Sequence, residues 1–164
     1  MSVERLAERV VEACRERGIM LATAESCTGG MIAAALTSVP GSSDVFDRGF
    51  VTYSNEAKHE LLGVPLQHTV DPGAVSDLVA REMVEGAIAR SKARAAISVT
   101  GIAGPGGGSD HKPVGLVHVG AFVEGEVTLR KHRFRDAEPR ADRARIRQLS
   151  AEAGLRLLLE MLVS

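Results

Sequence analysis

The fold is decided by one stretch of sequence, Ile19-Met20-Leu21-Ala22-Thr23-Ala24-Glu25-Ser26-Cys27-Thr28-Gly29-Gly30-Met31-Ile32-Ala33-Ala34-Ala35-Leu36. Residues 19–24 are mostly apolar and form a run of the length of a buried strand. The apolar run after Gly30 has the composition of a helix that stops before Pro40. The loop at residues 25–30 therefore joins the end of a strand to the start of a helix, which is the basic unit of α/β folds.

Outward from this loop, helical and strand patterns alternate along the chain. Helices are predicted at residues 3–17, 31–36, 54–63, 76–90 and 142–162, and strands at residues 19–24, 50–53, 95–99, 116–123 and 127–134. Glu124-Gly125 is a turn signal between the last two strands, which indicates an antiparallel hairpin. We predict an α/β fold with one domain over residues 1–164, a three-layer α/β/α sandwich with a mixed, mostly parallel sheet and a late antiparallel hairpin.

Composition limits the classes of partner. The formal net charge is −1, so the chain lacks the basic excess typical of nucleic-acid binding. No apolar run approaches the roughly 18 residues of a membrane span, so we expect no membrane association. The two cysteines, Cys14 and Cys27, fall in different predicted elements, and no secretory signal is evident. We therefore expect a reduced, cytoplasmic protein.

Ser26 is the first candidate for chemistry. It lies between a strand end and a Gly-Gly helix start, where a bend presents the hydroxyl and nearby backbone N–H groups can stabilise an oxyanion or bind a phosphate. The alternative is that Ser26 or Thr28 only caps the helix, and the loop taken alone favours that alternative.

A nucleophilic serine also needs a base. The five histidines are His59, His68, His111, His118 and His132, and none falls in a diagnostic motif. Lys58 follows the strand predicted at residues 50–53 and shares a helix face with Ser54. It can act as a base only if its pKa is lowered, and taken alone it reads as a solvated lysine. Tyr53 is placed to hydrogen-bond with Lys58 or with the serine hydroxyl.

A glycine-rich segment follows the strand at residues 95–99. It reads Thr100-Gly101-Ile102-Ala103-Gly104-Pro105-Gly106-Gly107-Gly108 and has neither the Walker nor the dinucleotide-binding spacing. Its backbone N–H groups suit a phosphate cradle, although a plain surface loop is an equal alternative. In α/β sheets, ligands bind beyond the carboxyl ends of strands, so loops 25–30, 54–58 and 100–108 are expected to converge on one cleft. No cysteine, histidine or carboxylate cluster has metal-ligand spacing.

Several longer motifs occur in one order along the chain. They are Ala24-Glu25-Ser26-Cys27-Thr28-Gly29-Gly30, Arg48-Gly49-Phe50-Val51-Thr52-Tyr53-Ser54-Asn55-Glu56-Ala57-Lys58, Gly73-Ala74-Val75-Ser76, Thr100-Gly101-Ile102-Ala103-Gly104-Pro105 and Lys112-Pro113-Val114-Gly115. With these motifs the chain resembles the CinA C-terminal domain family, whose stand-alone members are nicotinamide-nucleotide amidohydrolases, also called NMN deamidases.

The resemblance implies hydrolysis of nicotinamide mononucleotide to nicotinate mononucleotide and ammonia. It implies Ser26 as nucleophile, Lys58 as base and Tyr53 as a residue that supports both. It also implies that the protein requires no metal and no cofactor and that it forms a homo-oligomer, namely a dimer. The resemblance also implies which residues bind the nucleotide, and it places Arg147 near the phosphate. These residues are Thr28, Gly29, Gly30, Asn55, Thr100, Gly101, Ile102, Gly104 and Arg147. Two alternatives stay open. One is a nucleotide-binding module without chemistry, and the other is a glycine-loop phosphotransferase, which the missing Walker lysine disfavours.

Overall fold

The computed structural model describes residues 1–164 and has helices on both faces of one five-stranded sheet. The strands are β1 (Leu21–Glu25), β2 (Phe46–Val51), β3 (Ala95–Gly101), β4 (Leu116–Val123) and β5 (Glu126–Arg133). The helices are α1 (Val3–Arg17), α2 (Met31–Thr37), α3 (Asn55–Leu62), α4 (Asp77–Ala89), α5 (Phe134–Ala137) and α6 (Arg143–Leu162). Two short 3₁₀ turns cover Ser42–Asp44 and Leu66–Thr69. No helix combines the length and the apolar character needed to cross a membrane.

The sheet is mixed, and its strand order is β2-β1-β3-β4-β5. β1 pairs in parallel with both β2 and β3, whereas β4 runs antiparallel to β3 and to β5. Only β4 therefore runs against the other strands. Glu124 and Gly125 form the turn of the β4–β5 hairpin, and both have positive φ angles, 48° and 98°. The predicted sheet and hairpin are confirmed.

Two apolar clusters lie on opposite faces of the sheet. The larger one joins the sheet to α1, α2 and α6, and the smaller one joins it to α4. β1 is buried at every position because both of its faces are covered. A strand covered on both faces reads as a continuous apolar run, which is why β1 is recognisable in the sequence. The three-layer arrangement is thus the one that the sequence predicts.

The prediction for the second strand was wrong in its limits. The apolar run placed this strand at residues 50–53, whereas β2 covers Phe46–Val51. Asp47, Arg48 and Gly49 interrupt the apolar pattern, and β2 tolerates them because it is an edge strand whose residues are half-buried or exposed. Tyr53 consequently lies outside the sheet, in the segment that leads to α3.

The carboxyl ends of β1, β2 and β3 lie at one edge of the sheet because these strands are mutually parallel. α3 begins just beyond this edge, where the Ser54 hydroxyl accepts a hydrogen bond of 3.0 Å from the Ala57 N–H and caps the helix. α3 packs against α4 at Gly86, where a Cβ atom would overlap the carbonyl oxygen of Leu62. The close approach of the two helices therefore depends on a glycine at this position.

We predict that Gly86→Ala destabilises the fold. Alanine improves helix propensity by about 1 kcal/mol, but its methyl group would push against the backbone of α3, and overpacking typically costs about 1–3 kcal/mol. Urea denaturation should therefore give a lower free energy of unfolding than for the wild type. Gly106→Ala is the control, because a Cβ there meets nothing within 4 Å. A stability of Gly86→Ala equal to or above that of the wild type would contradict the close approach.

Candidate active site

One cavity of about 280 Å³ lies beyond the carboxyl ends of the parallel strands. The segments after β1, β2 and β3 all contribute to it, together with the segment before α4 and the start of α6. Its lining residues are Ser26, Cys27, Tyr53, Asn55, Lys58, Ala74, Val75, Thr100, Gly101, Ile102, Ala103, Gly104, Gly106, Gly107 and Arg143. The three loops that were expected to converge do meet at this cavity.

The side chains of Lys58 and Ser26 are in direct contact in this cavity. Lys58 Nζ donates a hydrogen bond of 2.9 Å to Ser26 Oγ, and a second of 3.2 Å to the carbonyl oxygen of Tyr53. Ser26 Oγ lies 3.5 Å from the same carbonyl. When the amine is neutral, its lone pair can accept the hydroxyl proton instead. The contact is therefore suited to deprotonating the serine.

Lys58 is buried without a negative partner. Its exposed fraction is only 2%, and no carboxylate forms a salt bridge with it. Burial lowers the pKa of the Lys58 amine, since removal of water penalises the charged form. A lowered pKa favours the neutral form of the amine, which is the form that a general base requires. The interpretation of Lys58 as a solvated lysine is therefore wrong.

The side chain of Glu25, rather than that of Ser26 or Thr28, caps the start of α2. Its fully buried carboxylate accepts hydrogen bonds from the N–H groups of Ile32 (2.9 Å) and Ala33 (3.1 Å) and from Thr28 Oγ1 (2.7 Å). Gly30 precedes the helix and offers no side chain as a cap. The capping alternative is therefore wrong for Ser26, whose hydroxyl stays free to contact Lys58.

The other nucleophile in the cavity, Cys27, is unsuited to attack. Burial raises the pKa of its thiol to about 11, and the reactive species of a cysteine is the thiolate. Cys27 therefore acts as a small packing residue beside the serine.

Tyr53 takes part through two different groups. Its carbonyl oxygen accepts the hydrogen bond from Lys58, as described above. The residue as a whole is 60% exposed, and its phenol oxygen accepts a hydrogen bond of 2.8 Å from Arg143 Nη2. Arg143 Nη1 also donates a bond of 2.7 Å to the carbonyl oxygen of Gly104. Arg143 thus connects two of the converging loops at the mouth of the cavity and places a cation there.

The remaining binding residues, which the family resemblance implies, divide into two groups. Asn55, Thr100, Gly101, Ile102 and Gly104 line the cavity. Thr28, Gly29, Gly30 and Arg147 do not line it. The Thr28 side chain is fully buried on Glu25, and the Arg147 guanidinium donates hydrogen bonds to the carbonyl oxygens of Cys27 (3.0 Å) and Thr28 (3.2 Å).

Three features of the site are not singled out by the sequence motifs as functional. Glu25 caps α2 by accepting hydrogen bonds from backbone N–H groups seven and eight residues further along the chain. The only signal for this role in the sequence is that a carboxylate stands at the end of a buried strand. Arg143 lies one helical turn before Arg147, and this spacing is its signal. Ala74 and Val75 belong to a matching motif but carry no reactive group.

The histidines lie outside the cavity. His118 Nδ1 pairs with Asp77 at 2.8 Å, His68 pairs with Glu82 at 2.8 Å, and His132 stacks on Phe134. No group of three or more histidine, cysteine or carboxylate side chains could hold a metal ion. The site is therefore built on a serine, a lysine, an arginine and backbone groups.

Comparisons with known proteins agree on one family. The family model for the CinA C-terminal domain matches residues 3–162. A CinA-like protein of Syntrophobacter fumaroxidans is 49% identical over 94% of this chain and 36% of that relative. The chain spans little more than a third of the length of such relatives.

Solved structures agree with the sequence comparison. The competence/damage inducible protein CihA from Agrobacterium tumefaciens has a TM-score of 0.92 and 47% identity, covering 99% of this chain and 96% of that one. The competence damage-inducible protein A from Klebsiella pneumoniae has a TM-score of 0.92 and 34% identity, covering 99% of this chain and 98% of that one.

We predict that Lys58→Met makes the protein more stable. Each unit by which burial lowers the lysine pKa corresponds to about 1.4 kcal/mol of penalty on the charged form. Below the lowered pKa, the lysine is protonated in both the folded and the unfolded state, and the penalty on folding is complete. Between the lowered pKa and about 10.4, the folded lysine is neutral while the unfolded lysine is still protonated, so the penalty shrinks as the pH rises.

Thermal and urea unfolding of both proteins at several pH values measure this difference. The advantage of Lys58→Met should be largest near neutral pH and should narrow in alkaline solution. Lys131→Met, at an exposed position on β5, is the matched control and should show no such pH-dependent gain. A Lys58→Met protein less stable than the wild type at neutral pH would show that the buried amine does not destabilise the fold.

Proposed function

The chain belongs to the CinA C-terminal domain family, and from that premise we propose that it hydrolyses the carboxamide of nicotinamide mononucleotide. The products are nicotinate mononucleotide and ammonia, with Ser26 as nucleophile and Lys58 as general base. One observation carries the proposal, namely the buried Lys58 amine that has no carboxylate partner and lies 2.9 Å from Ser26 Oγ. A buried amine without a carboxylate partner destabilises the fold, and a role as general base explains why the protein retains it.

The first half of the reaction transfers the acyl group to the enzyme. Ser26 Oγ attacks the carboxamide carbon, its proton passes to neutral Lys58 Nζ, and the carbonyl π electrons move to the oxygen. When this tetrahedral intermediate collapses, the C–N bond breaks and protonated Lys58 gives its proton to the leaving nitrogen. Ammonia departs, and the nicotinoyl ester of Ser26 remains.

Water completes the cycle. Lys58, neutral again, accepts a proton as water attacks the ester carbon, and then returns that proton to Ser26 Oγ when the C–O bond breaks. The pyridinium ring of the substrate is a fixed cation close to Lys58, and like-charge repulsion lowers the lysine pKa further in the complex. The substrate thus favours the neutral base that its own hydrolysis needs.

The backbone supplies candidate donors for the oxyanion. Cys27, Ala103 and Gly104 line the cavity, and Thr28 is the neighbour of Cys27 in the chain. The N–H groups of these four residues donate no backbone hydrogen bond within the protein. Cys27 directly follows the nucleophile, which is where acyl-transfer enzymes commonly place such a donor, and Thr28 comes next in the same turn. Removing one oxyanion donor typically lowers kcat by about 10²–10³-fold.

Arg143 is the residue that we assign to the substrate phosphate. It lies at the cavity mouth, it forms no salt bridge, and its two present partners are the neutral oxygens of Gly104 and Tyr53. A guanidinium can bind a phosphate in a bidentate manner. Arg147 is less suitable because it does not line the cavity and both of its hydrogen bonds go to backbone carbonyls.

We predict that the wild-type protein releases ammonia from nicotinamide mononucleotide faster than from nicotinamide riboside, NAD or free nicotinamide. Ser26→Ala should bring this release to background while the far-UV spectrum stays that of a folded protein. Ser43→Ala removes an exposed hydroxyl and is the matched control. Binding of the nucleotide by the wild type without any ammonia release would instead support the nucleotide-binding module.

We predict that Arg143→Met raises KM for nicotinamide mononucleotide by about tenfold or more, in line with the loss of a charge-assisted hydrogen bond. The turnover of nicotinamide riboside, which has no phosphate, should change much less. Initial rates of ammonia release over a range of substrate concentrations give both values. Arg140→Met, at an exposed position outside the cavity, is the control. An equal loss with both substrates would place Arg143 away from the phosphate.

A further inference from the structure

We propose that Arg147 is a positioning residue, which holds the Cys27–Thr28 peptide so that the Thr28 N–H group becomes an oxyanion donor beside Ser26. The inference rests on the proposed function and deepens it. It gives Arg147 a role in the chemical step instead of the contact with the phosphate that the family resemblance implies.

The contacts of Arg147 are unusual for an arginine on a protein surface. Nε donates a hydrogen bond of 3.0 Å to the carbonyl oxygen of Cys27, and Nη2 donates one of 3.2 Å to the carbonyl oxygen of Thr28. The guanidinium forms no salt bridge, and the side chain is half-buried. A Cβ atom at Gly29 would lie 3.3 Å from Nη2, so a glycine gives the guanidinium room to reach both carbonyls.

Peptide geometry links the Cys27 carbonyl to the Thr28 N–H group. The two groups belong to one planar trans peptide and point in opposite directions. With the carbonyl fixed towards Arg147, the Thr28 N–H points away from Arg147, and it has no partner within the protein. In the next peptide the Gly29 N–H is already used, because it donates to the Ser26 carbonyl oxygen at 3.0 Å. Of the two peptides that Arg147 holds, only the first therefore has a free donor.

The charge of Arg147 also strengthens that donor. A cation at the carbonyl oxygen draws electron density through the conjugated peptide, and hydrogen bonds in a chain polarise one another in this way. The opposite side of the turn is fixed as well, since Thr28 Oγ1 donates to the buried carboxylate of Glu25 at 2.7 Å. Thr28 is thus restrained through its side chain and through the peptide on either side of it.

The experiment compares Arg147→Met and Arg147→Lys with the wild type in ammonia release from nicotinamide mononucleotide. Loss of the guanidinium should lower kcat by about 10–100-fold, somewhat less than complete loss of an oxyanion donor, with KM changed less than threefold. Arg147→Lys can reach only one carbonyl well and should be intermediate. Arg156→Met removes an exposed arginine from the same helix and should keep wild-type values.

A second measurement does not depend on carboxamide hydrolysis. A fluorophosphonate labels an activated serine, and the phosphoryl oxygen of the adduct needs the same donor as the oxyanion. Labelling of Ser26 should therefore slow in Arg147→Met by a factor similar to that in kcat. Millimolar guanidinium ion should restore part of the labelling rate in Arg147→Ala, which a simple folding defect would not allow.

The outcomes separate the two proposals. A higher KM with unchanged kcat in Arg147→Met, or wild-type labelling of this variant, overturns the positioning role. A wild-type protein that is labelled at Ser26 but releases ammonia from none of the carboxamides overturns the proposed function, and the labelling rates of the Arg147 variants then still test the positioning role. A wild-type protein that is not labelled at Ser26 and releases no ammonia overturns both.

Discussion

The hydrogen bond between Lys58 Nζ and Ser26 Oγ places a buried amine on a serine hydroxyl, with no carboxylate to neutralise it. Much of the surrounding structure serves to hold this contact. Parallel strands bring the serine after β1 and the lysine on α3 to the same edge of the sheet. α3 can take its position because Gly86 lets it lie against α4. The site is thus a product of strand direction and of one close helix contact.

Burying this amine works against the stability of the fold. The lowered lysine pKa means that folding must give up part of the hydration of a cation. The aliphatic clusters on both faces of the sheet offset that penalty. Active sites commonly keep groups that weaken the fold because the same groups perform the chemistry. In the proposed reaction the base and the destabilising group are one side chain, so the proposal sets activity against stability at Lys58.

The sequence predicts the layers and the late hairpin because apolar periodicity and turn residues are local properties. It predicts the meeting of three loops because ligand-binding loops in α/β sheets lie beyond the carboxyl ends of the strands. It places β2 too late, since an edge strand needs no continuous apolar run. It identifies Ser26 and Lys58 only through the combination of several motifs. Glu25 and Arg147 act through the backbone of distant residues, and no local pattern encodes such contacts.

The cap that Glu25 provides for α2 has a consequence for redesign of the site. Since the start of the helix is secured by residue 25, and the turn is held by Arg147 from the other side, no structural bond of the turn depends on the side chain at position 26. The proposed reactive atom and its scaffold are therefore separable. A thiol or a selenol could occupy the same place, and the turn would present a different chemistry without being rebuilt.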